Sequence, residues 1–203
     1  MNHPLLLLFM TAAGIYVGTL WLGDRRAARA GTPSQGGLPG ATDAPQRAVI
    51  IAVTGALAIL TVETWGEAAL GIAGEQSRMT WLFALYSVVA APIIEELIFR
   101  GWLVVENRGR AVTWAAAVGA SVIFAVLHPF LWRWDDAGFA LTLGAKGWFS
   151  TGVVFATSLG LYSARLAAWN PQRSLSPCFV AHAAQNAGVV GVKLVAGFMG
   201  GLW

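Results

Sequence analysis

Long apolar runs separated by short polar segments dominate this chain. The six runs cover residues 5–22, 48–72, 80–105, 111–128, 148–167 and 177–200. A helix needs about 17–25 apolar residues to cross the hydrocarbon layer of a bilayer. The pattern therefore predicts an all-α fold, in the form of a polytopic membrane bundle of about six transmembrane helices.

Composition agrees with a membrane location. Of the 203 residues, 57% are hydrophobic and only 11% are charged, whereas soluble domains contain about 25% charged residues. The net charge is only +3, and it lies mostly in arginines between the apolar runs. Binding of nucleic acid would need a basic face instead. A single cysteine, Cys178, excludes an internal disulfide and a cysteine-rich metal site. We expect an integral protein of a bacterial inner (cytoplasmic) membrane with no nucleic-acid partner.

The arginines predict the orientation. Arg25, Arg26 and Arg29 follow the first apolar run instead of preceding it, which favours a retained helix over a signal peptide. Residues 31–47 are rich in glycine and proline, so we expect a flexible loop. The positive-inside rule places that loop in the cytoplasm and both termini outside. Residues 132–136 are expected to form an outer loop with aromatic anchors.

Two adjacent acids interrupt the third apolar run. An ionisable group at the bilayer centre costs at least ~2.5–3.5 kcal/mol, so such groups face protein or a wet cavity. Glu96 and Arg100 are four residues apart and can pair along the helix. Glu95 points about 100° away and has no intrahelical partner, which makes it a candidate general base. A purely structural salt-bridge network is the alternative.

Pro92 predicts a helix break nearby.

Two later runs carry the remaining candidate groups. His128 follows Phe124 at helical spacing, and His182 and Asn186 share one face of the last helix. Taken alone, His128 is better explained as an interface histidine. An acid, two imidazoles and an amide together are the groups needed to activate water and stabilise an oxyanion. On straight, perpendicular helices His128 would lie ~10 Å deeper than Glu95.

Three motifs occur in order on separate runs: Glu-Glu-x-x-x-Arg at 95–100, Phe-x-x-x-His at 124–128 and His-x-x-x-Asn at 182–186. This arrangement resembles the CPBP family of CAAX-protease and bacteriocin-processing (Abi) intramembrane endopeptidases, which is related to the type II CAAX prenyl proteases. The chain is interpreted as a single transmembrane domain over 1–203. The resemblance covers roughly residues 82–195, so 80–200 would form the catalytic core, and the two N-terminal helices within 1–72 lie outside it.

The resemblance also implies roles for individual residues. Glu95 would activate the hydrolytic water with help from His128, and His182 and Asn186 would stabilise the oxyanion. The supporting residues would be Glu96, Arg100 and Phe124. The substrate would be a membrane-associated protein or peptide, for example a C-terminal processing or sorting segment.

Two alternatives remain open. The favoured mechanism uses no cofactor, but Glu95, His128 and His182 could instead bind Zn²⁺ and leave a fourth position for water. The chain has no His-Glu-x-x-His sequence, which counts against a zinc protease of that type. The second alternative is a non-catalytic immunity or transport protein of the membrane, since such proteins also bury acids and histidines.

Overall fold

The computed structural model describes residues 3–32, 35–135 and 138–203, and helices account for most of them. Positions 33 and 34 of the predicted flexible loop lie outside the described residues, as does residue 136 of the predicted outer loop. In the described part the α-helices are α1 Pro4–Arg29, α2 Gln46–Ala69, α3 Trp81–Val89, α4 Ala91–Glu96, α5 Arg110–Leu127, α6 Ala145–Leu166 and α7 Ser176–Val195. A 3₁₀ turn covers Ala73–Glu75, and a π-helical segment covers Leu97–Trp102.

The predicted all-α membrane bundle is confirmed. Five helical stretches in the described residues are long and apolar enough to cross a bilayer: α1, α2, the continuous stretch Trp81–Trp102, α5 and α7. The sixth helix, α6, has 22 residues but does not reach that apolarity. Its buried polar residues include Ser150, Thr157, Ser158 and Arg165. These side chains face the bundle, so α6 is a polar-lined inner helix.

The region between α5 and α6 differs from the predicted outer loop. It contains an antiparallel hairpin of β1 Trp132–Asp135 and β2 Gly138–Leu141, in which Trp132 lies opposite Leu141. Rings of Trp132 and Phe139 stack with centroids 6.3 Å apart. Cross-strand aromatic pairs stabilise short hairpins, which explains strands in a segment too short to show a clear alternation in sequence.

One end of the bundle is closed by the loop between α1 and α2. Leu175 N–H donates to the Gly40 carbonyl at 3.0 Å, and the Ser174 hydroxyl donates to the Thr42 carbonyl at 2.6 Å. The Trp21 indole N–H donates to the Pro39 carbonyl at 3.1 Å. Residues 35–45 of the predicted flexible loop therefore make defined hydrogen bonds across the bundle end. Glycine and proline here allow a tight path across the bundle end, which sequence composition alone does not distinguish from mobility.

Charge also anchors this loop. Asp43 accepts hydrogen bonds from Arg29 at 2.6 Å and from Arg25 at 2.9 Å. The hydrogen bond from Arg29 lowers the pKa of Asp43 below its ordinary value. Because the carboxylate is favoured in the folded state, this anchor is present at neutral pH and is lost as the pH falls through the lowered pKa.

Polar contacts at the opposite end join the other loops. Glu67 is buried, forms an ion pair with Lys146 and accepts a hydrogen bond from Gln76 at 2.6 Å. Lys193 donates to the Ser77 carbonyl at 2.7 Å. The loops therefore alternate between two ends, in agreement with the predicted alternation of spans.

The third span is broken as Pro92 predicts. Helix α3 ends at Val89, and α4 begins at Ala91. Helix α1 packs directly on the break, since a Cβ built on Gly14 would lie 2.5 Å from Ala90 Cβ and 2.8 Å from Ala90 Cα. Only glycine permits this approach, because the opposing atoms are backbone atoms and a Cβ fixed to that backbone, which cannot turn away.

We therefore predict that Gly14→Ala destabilises the protein by ~1–3 kcal/mol, the usual cost of overpacking. Gly23→Ala in the same helix is the matched control, because a Cβ there meets no atom within 4 Å. Thermal unfolding midpoints in detergent measure the difference. Equal midpoints for the two variants would contradict the close packing of α1 on the break.

Candidate active site

Four of the sequence-predicted residues meet between α4 and α7. Glu96 Oε1 lies 3.0 Å from Arg100 Nη1 and 2.8 Å from His182 Nδ1. Glu95 Oε2 lies 3.8 Å from His182 Nε2. The predicted ion pair of Glu96 with Arg100 thus forms, and His182 stands between the two glutamates. Its imidazole joins a motif of the third span to one of the last span.

The Arg100 guanidinium is the centre of a buried polar network. Arg100 Nη2 donates to Ser158 Oγ at 2.6 Å, and Ser158 donates to Ser121 Oγ at 2.9 Å. The guanidinium carbon lies 4.6 Å from the centre of the Phe124 ring and 5.1 Å from that of Tyr162. Cations over aromatic faces are attracted by the ring quadrupole. One side chain therefore ties the π-helical segment to both α5 and α6.

The backbone around Arg100 is widened into the π-helical segment. Such segments are rare and occur frequently at functional sites. The Tyr162 hydroxyl lies 2.6 Å from the Phe99 carbonyl oxygen and 3.1 Å from that of Leu103. Arg165 Nε donates to the Arg100 carbonyl at 3.1 Å. Side chains of α6 thus satisfy carbonyls of the widened turn, as a membrane interior without water requires.

The two glutamates have different surroundings although they are neighbours in sequence. The Glu96 side chain is 0% exposed, and that of Glu95 is 26% exposed. In the described residues Glu95 makes no hydrogen bond, and its polar contact is the one with His182 Nε2. Glu96 is therefore committed to Arg100 and His182, while Glu95 keeps an accessible carboxylate.

Asn186 contacts the break in the third span. Its Nδ2 donates to the Ser87 carbonyl at 2.6 Å. The break at Ala90 removes this carbonyl from the regular helical ladder, so a side chain from α7 supplies the donor. An asparagine amide carries two N–H donors, and the second remains available next to His182, one helical turn away.

His128 joins the site through Phe124. Its ring centre lies 4.6 Å from that of Phe124, and its Nδ1 lies 2.8 Å from the Phe124 carbonyl oxygen. Because a carbonyl only accepts, Nδ1 donates and Nε2 stays available. Within the described residues His128 makes no hydrogen bond or ion pair with Glu95 or His182.

The depth of His128 relative to Glu95 depends on how α5 packs on the third span. Phe124 packs on Arg100, and this contact sets the register of the two antiparallel spans. Glu95 lies five residues from Arg100 and His128 four residues from Phe124, toward the same end of the bundle. At 1.5 Å per residue these steps are ~7.5 Å and ~6 Å. The contact therefore favours a similar depth for the two side chains over the ~10 Å difference of straight helices that start at one level.

The residues of the zinc alternative do not form a metal site in this structure. Across residues 3–32, 35–135 and 138–203 no group of three His, Cys, Asp or Glu side chains is arranged to hold a metal ion. Glu95 and His182 are near each other, but His128 does not complete a ligand set with them. We therefore derive no step through zinc.

Sequence reasoning missed the residues of α6 that support the site. Ser158, Tyr162 and Arg165 share one face of α6 at helical spacing, and this polar face on an otherwise apolar helix was the available signal. Cys178, which shares the His182 face, is fully buried and contacts the Leu161 carbonyl oxygen at 3.3 Å. A buried thiol in this position is packing.

Comparison with known proteins extends this picture. No curated protein and no solved structure is similar enough to count as a match. The family model described as type II CAAX prenyl endopeptidase Rce1-like matches residues 77–188, more than half of the chain. That region contains all three motifs and leaves α1 and α2 outside. The chain therefore belongs to the type II CAAX prenyl endopeptidase Rce1-like family of intramembrane proteases, which act on membrane-associated proteins.

Proposed function

We propose that this protein hydrolyses a peptide bond with a water activated by Glu95, without a metal. The observation that carries the proposal is the difference between the adjacent glutamates. Glu96 is fully buried and bound to Arg100 and His182, whereas Glu95 is 26% exposed and lies 3.8 Å from His182 Nε2. An accessible carboxylate inside a bundle, beside a second proton carrier, is suited to general base catalysis.

In the proposed reaction Glu95 takes a proton from water as the water oxygen attacks the scissile carbonyl carbon. The new C–O bond forms, and the carbonyl electron pair moves to oxygen. The protonated Glu95 then gives its proton to the leaving nitrogen as the C–N bond breaks. His128 assists this proton transfer through Nε2 in the proposal, since its Nδ1 is held by the Phe124 carbonyl.

In this proposal, residues of α7 stabilise the oxyanion. His182 Nδ1 lies 2.8 Å from Glu96 Oε1, the same oxygen that pairs with Arg100. In this proposal the imidazole carries a proton on both nitrogens, so that Nδ1–H donates to Glu96 and Nε2–H donates to the oxyanion. Asn186 adds its second amide N–H, because the first is bound to Ser87. Glu96 and Arg100 thus position the imidazole without touching the substrate.

The proposed substrate is a membrane-associated protein or peptide cleaved near its C-terminus, such as a processing or sorting segment. The proposed location is a bacterial inner membrane. Most arginines lie at the end of the bundle closed by residues 35–45, so the positive-inside rule favours a cytoplasmic position for that end. Glu95 lies roughly ten residues above it, within reach of a segment that enters from the membrane surface.

Glu95→Gln is expected to lower the cleavage rate at least ~100-fold, the usual contribution of a general base. Its abundance and thermal midpoint should stay unchanged, since the amide keeps the volume of the side chain. Substrates are found by mass spectrometry of membrane-protein termini in cells with and without the enzyme. Cleavage is then measured with the purified protein and the peptide so identified.

Glu75→Gln is the matched control, because Glu75 is exposed on the 3₁₀ turn and away from the site. Its termini profile should equal that of the unchanged protein. If the Glu95 variant produced the same termini as the control, the proposed base would be wrong.

Ser158→Ala should destabilise the protein by ~1–3 kcal/mol, because Arg100 loses a buried hydrogen-bond acceptor. Ser163→Ala in the same helix is the control, since the Ser163 hydroxyl only bonds the Leu159 carbonyl of its own turn. Thermal midpoints in detergent compare the two. A destabilisation of equal size in both variants would show that Ser158 does not support the ion pair.

Exhaustive chelation should leave the cleavage rate unchanged under the metal-free proposal. The purified enzyme is treated with a strong zinc chelator, desalted and assayed, and its metal content is measured in the same sample. Loss of activity that added Zn²⁺ restores would reverse the proposal and favour the zinc alternative.

A further inference from the structure

A basic pocket opens at the loop end of the bundle, away from the glutamates. It has a volume of about 600 Å³ and lies between the start of α5 and the end of α6. Its polar wall includes Asn107, Arg110, Thr113 and Arg173. Its apolar wall includes Trp114 and Leu166, which pack on the buried seam between α5 and α6. The pocket therefore has one cationic side and one apolar side.

Positive charge is in excess at this pocket. Glu106 is the one acid that pairs with its arginines in the described residues, at 3.2 Å from Arg173 and 3.9 Å from Arg165. Arg110 is exposed and has no ion pair or hydrogen bond among those residues. Two guanidinium groups, those of Arg110 and Arg173, thus line the pocket, and Glu106 pairs with only one of them. The pocket is therefore complementary to an anion.

The backbone adds to this complementarity. Helix α5 begins after Gly109 with no side-chain cap, and its first backbone bond runs from Thr113 N–H to the Gly109 carbonyl. The N–H groups of the first turn therefore have no intrahelical acceptor. Such groups favour phosphate-like ligands, and here they lie at the rim of a cavity that already carries arginines.

We propose that this pocket binds the phosphate headgroup of an anionic glycerophospholipid. Its location at the helix ends corresponds to the headgroup layer, and Trp114 and Leu166 offer apolar surface to the glycerol and the first acyl carbons. Basic pockets between transmembrane helices are known to bind anionic headgroups. The bound lipid would brace the loop that carries Glu106, whose partner Arg165 also holds the Arg100 carbonyl.

Native mass spectrometry of the delipidated full-length protein tests this proposal with phosphatidylglycerol, phosphatidylcholine and inorganic phosphate as separate probes. We expect saturable binding of phosphatidylglycerol over phosphatidylcholine. Arg110→Gln should weaken that binding about fivefold, the factor for one arginine near an anionic lipid. Arg110→Lys should retain most of it, because the charge stays.

Arg26→Gln is the matched control, since Arg26 is exposed at the same end but does not line the pocket. It should bind phosphatidylglycerol like the unchanged protein. Equal weakening by Arg26→Gln and Arg110→Gln would overturn the proposal in favour of diffuse surface attraction. Absence of preference for phosphatidylglycerol, or equally tight binding of inorganic phosphate alone, would overturn the lipid assignment. These binding measurements do not depend on proteolysis, so they succeed or fail separately from the proposed function.

Discussion

The ion pair of Glu96 with Arg100 is the interaction on which the rest of the structure depends. Both side chains are 0% exposed in the interior of a membrane protein. Removing either partner of such a pair leaves an uncompensated buried charge, which typically costs 3–5 kcal/mol. The pair is therefore surrounded by groups that contact its charged atoms. Ser158, Phe124 and Tyr162 contact the arginine, and His182 contacts the glutamate.

This constraint connects packing with the arrangement of the site. Glu96 Oε1 accepts from both Arg100 and His182, so one carboxylate aligns a structural cation and an imidazole. The same imidazole presents its other nitrogen to Glu95. Two adjacent acids can thus have separate roles, because helical geometry points them in different directions and only one reaches the cation.

The second feature on which the fold depends is the interrupted backbone of the third span. The third span breaks at Ala90 and widens into the π-helical segment a few residues later. Both irregularities expose carbonyls that a bilayer cannot solvate. Asn186 bonds one of them, and Tyr162 and Arg165 bond others. Candidate active-site residues and α6 residues therefore hold the irregular backbone in place, and the site lies where the span departs most from a regular helix.

Much of this protein was predictable from the sequence. Apolar length predicts the spans, because a bilayer requires it. Four-residue spacing predicts the Glu96–Arg100 pair, because residues four apart lie on the same face of a helix. Pro92 predicts the break, since proline lacks a backbone donor. These are consequences of local geometry, which depends on residues close together in the chain.

The tertiary structure alone decided the contacts between distant segments. No spacing shows that Ser158 accepts from Arg100, that Asn186 bonds Ser87, or that residues 35–45 pack across the bundle end. The register of α5 on the π-helical segment likewise depends on the packing of Phe124 against Arg100. Helix offset and tilt arise from side-chain packing between helices, and that packing is not encoded in the periodicity of any single helix.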